Sequence, residues 1–394
     1  MAGRLTALLE QESEHQWLAI GLFALFALGG GWAINASSEL SGVGLASMDA
    51  AWTQEDLLDV ALMDGAWTNT HVGLVDTAAG QRIYMQTGPG AESFDLLDAT
   101  ERATRLFPQD DGSVWWDAEE GELRGVTSDG QRVTAATGLQ GEQVLDLVVV
   151  DTADVYGLVL FRSGTGTGVV AFDGLGGTFS SLSAPAGVTW THLLDMGPGH
   201  VLVAGWRMLD GSNPASPDVV SVVALLSNDR GTISIDGGSM DGPEGYVHSL
   251  LHRNAEEAVL ATRFGAMAVT STGERTFLQL PSIAAAVDDE GGVWFIGSSE
   301  SSSVVIWDGT TTNVRSMPST LGINVEVSTS STATWLLFGQ NNEGKLVGVE
   351  IDMAHETSAL SGRGFLNMLF LLVGVISLAG LGASWWVEAR RTLE

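Results

Sequence analysis

The sequence predicts an all-β fold built from about seven small antiparallel sheets, with one apolar helix before them and one after. Three observations carry this. Short apolar strands introduced by turn residues recur as HVGLVD, DDGSVWWD, GLVLFR, VLVAGWR, AVLATR, GVWFIG and TWLLFG, ending at Asp76, Asp117, Arg162, Arg207, Arg263, Gly297 and Gly339, one in every ~44 residues. Each unit reads strand, turn, strand, turn, strand, as in SIAAAV, DDEGG, VWFIG, SSESS and SVVIWDG, followed by a polar fourth strand such as TTNVRSMP. No window of this region sustains a 3.6-residue apolar period, and EDLLDVALM at 55–63, the nearest to one, reads equally as an apolar first strand. Period and strand count together are those of a β-propeller of about seven four-stranded blades, in which radial packing buries both faces of each sheet. The copy ending at Asp76 is the weakest, which leaves six blades as the nearest competitor.

The elements follow in order. Residues 1–16 form a short tail, and residues 17–34, WLAIGLFALFALGGGWAI, carry no charge. At about 1.5 Å per residue the run just crosses a hydrocarbon core of about 30 Å. A cleaved leader is the competing reading, but Glu10, Glu12 and Glu14 face only Arg4, and no small-residue cleavage site follows. Residues 35–50 read as a linker, 51–355 as the propeller and 356–363 as a second linker. Residues 364–387, GFLNMLFLLVGVISLAGLGASWWV, form a second uncharged span, followed by a tail at 388–394 that holds Arg390 and Arg391. Trp17, Trp32, Trp385 and Trp386 stand where interfacial aromatics belong, and the arginine pair places the C-terminus in the cytoplasm. Two spans return the N-terminus there too. The expected protein is therefore a two-pass cell-membrane protein with a large extracytoplasmic domain, and its tails are too short to bury a core of their own.

Charge and cysteine usage narrow the partners. The chain has 48 acidic and 17 basic residues, a net charge of -31, and no cysteine. Such a surface repels a phosphate backbone, so nucleic acid is excluded as a partner. Disulfides, thiolate metal sites and cysteine nucleophiles are excluded with it, and a large exported domain without disulfides suits a prokaryote.

IAAAVDDEGGVWFIG and DDGSVWWD resemble the repeat of two-component-regulator-type propellers, in which a strand, an Asp-x-x-Gly turn and a Trp-bearing strand recur blade after blade. The resemblance covers about two repeats well. It implies the propeller superfold, and in that family a sensory module joined to cytoplasmic signalling domains, which the short tails here do not supply. Closing such a ring brings the regions near Ser47 and His355 together, because open first and last blades would expose strand edges.

The candidate sites are few. Asp110, Asp111, Asp151, Asp195, Asp288 and Asp289 precede second strands, where Asp is ordinary turn chemistry, and no stretch matches a calcium loop. His192, His248 and His252 fall near first strands of adjacent blades and are expected at the central channel, without the spacing of a metal site. GTGTG at 164–168 and DGLGGT at 173–178 lack the strand-to-helix context of a phosphate loop and read as hairpin turns. No nucleophile elbow is present, and no cofactor is implied. Three consecutive blades end the equivalent strand with Arg162, Arg207 and Arg263, an arrangement whose planar forks suit an anionic ligand. Pairing of each with a nearby aspartate is the competing reading. The insertion at Met208–Val220 enlarges the loop beside Arg207. These features point to a membrane-anchored module that binds a protein or an anionic ligand within an envelope assembly. Alternatives are a hydrolase or lyase with its site at the channel mouth, and an accessory subunit held through its membrane helices.

Overall fold

The computed structural model describes residues 14–391 except 37–39, 41–42, 45–55, 64–69, 88–93, 152, 165, 175, 177–179, 213–217, 230–231, 298–302, 318–322, 330–333 and 342. The chain divides into two units, Ser41–Ala354 and the two flanking segments Met1–Leu40 with His355–Glu394.

Among the described residues the larger unit holds seven four-stranded antiparallel sheets, so the expected seven-bladed propeller is present. Every strand end read from the sequence falls at or next to the end of a second strand. These strands are Thr70–Thr77, Val114–Asp117, Tyr156–Ser163, His200–Met208, Glu257–Thr262, Val293–Ile296 and Thr334–Gln340. Their residues are apolar on both faces because each blade is sandwiched between two others. Leu158, Val159 and Leu160, three in a row, are all fully buried. EDLLDVALM supplies the first strand of blade 1, Asp56–Met63.

The first strands form the inner wall, where those of blades 1 and 2, of blades 3 to 7 in succession, and of blades 7 and 1 contact one another. The core is a set of wedges between neighbouring blades. Leu106, Val114 and Trp116 of blade 2 pack on Val72, Leu74 and Ile83 of blade 1. Leu158 and Val169 of blade 3 pack on Trp190 and Val203 of blade 4, and Val60 and Leu62 of blade 1 meet Leu336 and Phe338 of blade 7. Trp294 stands edge-on to Trp335, 5.3 Å between centroids, and Trp335 Nε1 donates to Val287 O at 2.9 Å, which joins blade 6 to blade 7.

Closure is made by strand sharing. The last sheet has the order Val43–Gly44, Leu346–Asp352, Thr334–Gln340, Ile323–Thr329, so its outermost strand comes from the beginning of the chain, inside the segment read as a linker. Val43 pairs with Glu350 and Gly44 with Val349. Ser47 lies outside the described residues. Beside this joint His71 Nε2 sits 2.9 Å from Glu350 Oε2, with both side chains buried.

The smaller unit consists of helices α1, Glu14–Ala36, and α2, Met353–Arg391. Phe26 stacks on Phe370 with centroids 5.0 Å apart, and a Cβ on Gly30 would run into the same ring, so a glycine lets the two helices approach there. Among the described residues no helix is long and apolar enough to cross a membrane.

Candidate functional site

A cavity of about 680 Å³ is lined by the first strands of blades 2 to 7. First strands begin and second strands end at one end of it, which is the upper rim. Arg105, Asp146, His192, His248 and Glu326 line it there, joined by Arg263 from the turn after the second strand of blade 5. Asp110, Asp111, Asp195 and His252 line the opposite end.

A recurring irregularity places the upper-rim groups. In the first strands of blades 1, 3, 4 and 5 the register shifts between Leu57 and Asp59, Val144 and Asp146, Trp190 and His192, and Val247 and Ser249. A bulge inserts one residue and re-aims the next side chain. Asp59 Oδ2 accepts Leu106 N–H of blade 2 at 2.6 Å, Asp146 Oδ2 accepts Leu193 N–H of blade 4 at 2.8 Å, and Ser249 Oγ accepts Ala285 N–H of blade 6 at 3.0 Å. The other carboxylate oxygens accept the next residue's own N–H, from Val60 at 2.8 Å and Leu147 at 2.9 Å. These side chains therefore lace neighbouring blades together at the axis.

Arg105 immediately precedes the first strand of blade 2, Leu106–Pro108, and its side chain is 42% exposed. Nη2 lies 3.7 Å from Glu326 of blade 7, Nη1 donates to Leu145 O at 3.3 Å, and the group sits 5.3 Å from the Phe107 centroid. Burial pushes Asp59 up to about 7, with Glu326 adding repulsion and Arg105 opposing it. Burial raises Asp146 to about 6 against the pull of Arg105. His192 is pushed down to about 3 by burial, then by Arg105 and His248, while burial and Arg263 lower His248. At neutral pH the histidines are uncharged, and the upper rim presents two guanidinium groups.

This arrangement suits binding an anionic group better than proton transfer. Asp59 and Asp146 titrate near neutrality, but backbone donors occupy both oxygens of each. Thr191 Oγ1 lies 2.8 Å from His192 Nδ1, yet an imidazole held near 3 is too weak a base to activate a hydroxyl. At the opposite end His252 Nε2 is 3.5 Å from Asp110 Oδ2, an ion-pair distance too long for a well-made hydrogen bond. Burial raises Asp195 beside this pair.

The residues expected from the sequence separate here. Arg263 lines the cavity, whereas Arg162 and Arg207 end their strands away from it. Arg207 forms a two-pronged pair with Asp241, Nε to Oδ1 at 3.0 Å and Nη2 to Oδ2 at 2.7 Å, and Arg162 is exposed at the end of its strand. His192, His248 and His252 all line the channel. Asp111, Asp151, Asp195 and Asp288 each accept the N–H two residues on, the turn geometry their spacing implies. Residues 213–217 of the Met208–Val220 insertion lie outside the described residues. Among the described residues no cluster of three or more His, Asp or Glu side chains is placed to hold a metal ion. Sequence reasoning missed Arg105, Asp59, Asp146 and Glu326. One signal was present: Leu57-Leu58-Asp59-Val60 and Val144-Leu145-Asp146-Leu147 repeat an aspartate inside an apolar first strand.

No family model and no curated protein matches the chain. Among solved structures it is similar to a catalytically inactive virginiamycin B lyase from Staphylococcus aureus with quinupristin, at TM-score 0.50 and 12% identity over 79% of this chain and 99% of that one. It is also similar to the WD40 β-propeller domain of Doa1, at TM-score 0.45 and 13% identity over 79% and 96%, and to BBS1N in complex with ARL6DN, at 0.47 and 10% over 79% and 96%. Likeness at such identities establishes the architecture alone: the chain is a seven-bladed β-propeller.

Proposed function

We propose that the protein is a membrane-tethered extracytoplasmic binding module whose ligand presents an anionic group to the upper rim at Arg105 and Arg263. The half-exposed side chain of Arg105 carries this reading, because its ion pair with Glu326 is loose at 3.7 Å and leaves donors for a ligand. Arg162 and Arg207 extend the cationic edge over the neighbouring blades, Arg207 with its charge shared by Asp241. Tethering is supported by the uncharged runs 17–34 and 364–387 and by exposed Leu22, Leu25, Leu28, Leu371, Val375 and Ile376 on α1 and α2, side chains that need an apolar surrounding.

The test is retention of the detergent-solubilised protein on carboxylate- and sulfate-bearing resins against a neutral resin. Arg105→Gln with Arg263→Gln should lose retention at least tenfold at unchanged melting temperature. Equal retention of variant and wild type disposes of the site.

A second reading, a lyase or hydrolase, is favoured by His252, Asp110 and Asp195 at the opposite end and by the likeness to a virginiamycin B lyase. Here His252→Ala should abolish turnover of quinupristin or of ester substrates, while Arg105→Gln should not. Absence of turnover by the wild type ends that reading.

A further inference from the structure

We infer that the upper rim of blades 4 and 5 docks the last residues of a peptide, its free C-terminal carboxylate held at Arg263 and an apolar terminal side chain on Phe264 and Tyr246. This deepens the reading of the upper rim as an anion site and rests on it.

The first observation is an aromatic ledge. Phe264 is 66% and Tyr246 42% exposed, and Met208, two residues after Trp206 on the same strand, is exposed as well. Tyr246 stands edge-on to the half-buried Trp206, 5.2 Å between centroids at 78°. A Cβ on Gly245 would meet the Phe264 ring at 3.0 Å, so the ring lies over this backbone, whose φ of +100° itself favours glycine. Three elements build the ledge: the end of the second strand of blade 4, the crossing from blade 4 to blade 5, and the hairpin turn after the second strand of blade 5. Two large rings left in water are costly, and nothing in the blade cores requires them there.

The second observation is that the ledge is rigid and adjoins the charge. Arg263 and Phe264 are the two turn residues between Thr262 and Gly265, which pair across the hairpin. Thr262 Oγ1 accepts the N–H of Phe264 and of Gly265, each at 3.2 Å, and donates to Glu244 O at 2.7 Å, which fixes the turn to the crossing that carries Tyr246. Consecutive residues thus present a guanidinium that lines the channel and a ring that faces outward. A terminal residue offers the matching pair, carboxylate and side chain on one Cα. A preorganised surface of this kind loses little conformational freedom on binding.

Charge selects peptide over acidic polysaccharide. With 48 acidic and 17 basic residues the chain repels any polyanion, and the rim compensates only locally. A peptide with one carboxylate at its end and basic residues upstream is attracted by the whole and held by the rim.

The experiment selects random octapeptides with free C-termini on the full-length protein in detergent micelles, beside the same pool amidated and beside oligogalacturonate. Retained peptides should be enriched in Leu, Ile, Phe or Tyr at the last position and in Lys or Arg upstream, and amidation should lower retention at least tenfold. Phe264→Ser and Tyr246→Ser should flatten the apolar preference while carboxylate dependence survives, and Phe264→Tyr should keep both. Variants that select the wild-type peptides overturn the inference, as do preference for internal Asp or Glu, stronger retention of oligogalacturonate, or no retained peptide. If Arg105→Gln with Arg263→Gln still abolishes resin binding while the aromatic variants change nothing, the anion site stands and only the peptide ledge falls.

Discussion

Asp59 sits between blades 1 and 2 with each carboxylate oxygen accepting a backbone N–H, yet burial keeps its pKa up at about 7 against an ordinary 3.8. Its folded value lies above its unfolded one, so the native state binds the extra proton and the associated stability is lost as pH rises through about 7. His192 acts in the opposite sense: its value of about 3 lies below the usual 6.5, so stability falls once pH drops through 6.5 and the unfolded chain takes up a proton. Asp146, raised to about 6, acts in the same sense as Asp59, so the melting temperature should climb as pH falls from 8 through 6, with His192 offsetting part of the climb below 6.5. In Asp59→Ser the climb should shrink. A melting temperature that is flat or decreasing from pH 8 to 6 would show that the buried carboxyl is not protonated in the native state.

The blade is the element at which sequence and structure agree best, for a reason visible in single strands. A second strand such as Tyr156–Ser163 is covered on both faces, so its Leu-Val-Leu run is continuous and stands out from turns rich in Asp and Gly. The two-residue strand Val43–Gly44 has no such signature, because it lies at the outer edge of its sheet and is defined only by pairing with Glu350 and Val349. The site was hidden in the same way. Arg105 falls between two units of the repeat, and only ring closure brings Glu326 of the last blade within 3.7 Å of it. The arginine trio was legible as a repeat position, but a repeat position does not reveal that Asp241 already holds Arg207. At the seam between blades 1 and 7, His71→Leu removes a buried hydrogen-bonding partner of Glu350 and should cost about 1 to 3 kcal/mol by denaturant titration. Replacing both by Leu and Met should recover most of that loss. A single variant as stable as the wild type would mean that the pair contributes nothing to closure.

At the scale of the whole molecule the proposed topology makes its own prediction. Protease added to intact cells should release one large fragment spanning residues 50–350, while tags at both termini stay protected; a tag accessible from outside rejects the two-span arrangement. Blade 7 adds a constraint that belongs to biosynthesis. Its outermost strand, Val43–Gly44, is made before the other six blades and its remaining three after them, so the ring stays an open arc until Leu346–Asp352 has been synthesised. A nascent chain stalled before Leu346 keeps six blades and two bare edges, the species most exposed to strand exchange with a second copy. The same joint is held by hydrogen bonds and side chains, with no peptide bond across it. Moving the chain termini to the turn between two other blades, and linking Gly44 to its own blade by a short tether, would convert this long-range contact into a local one.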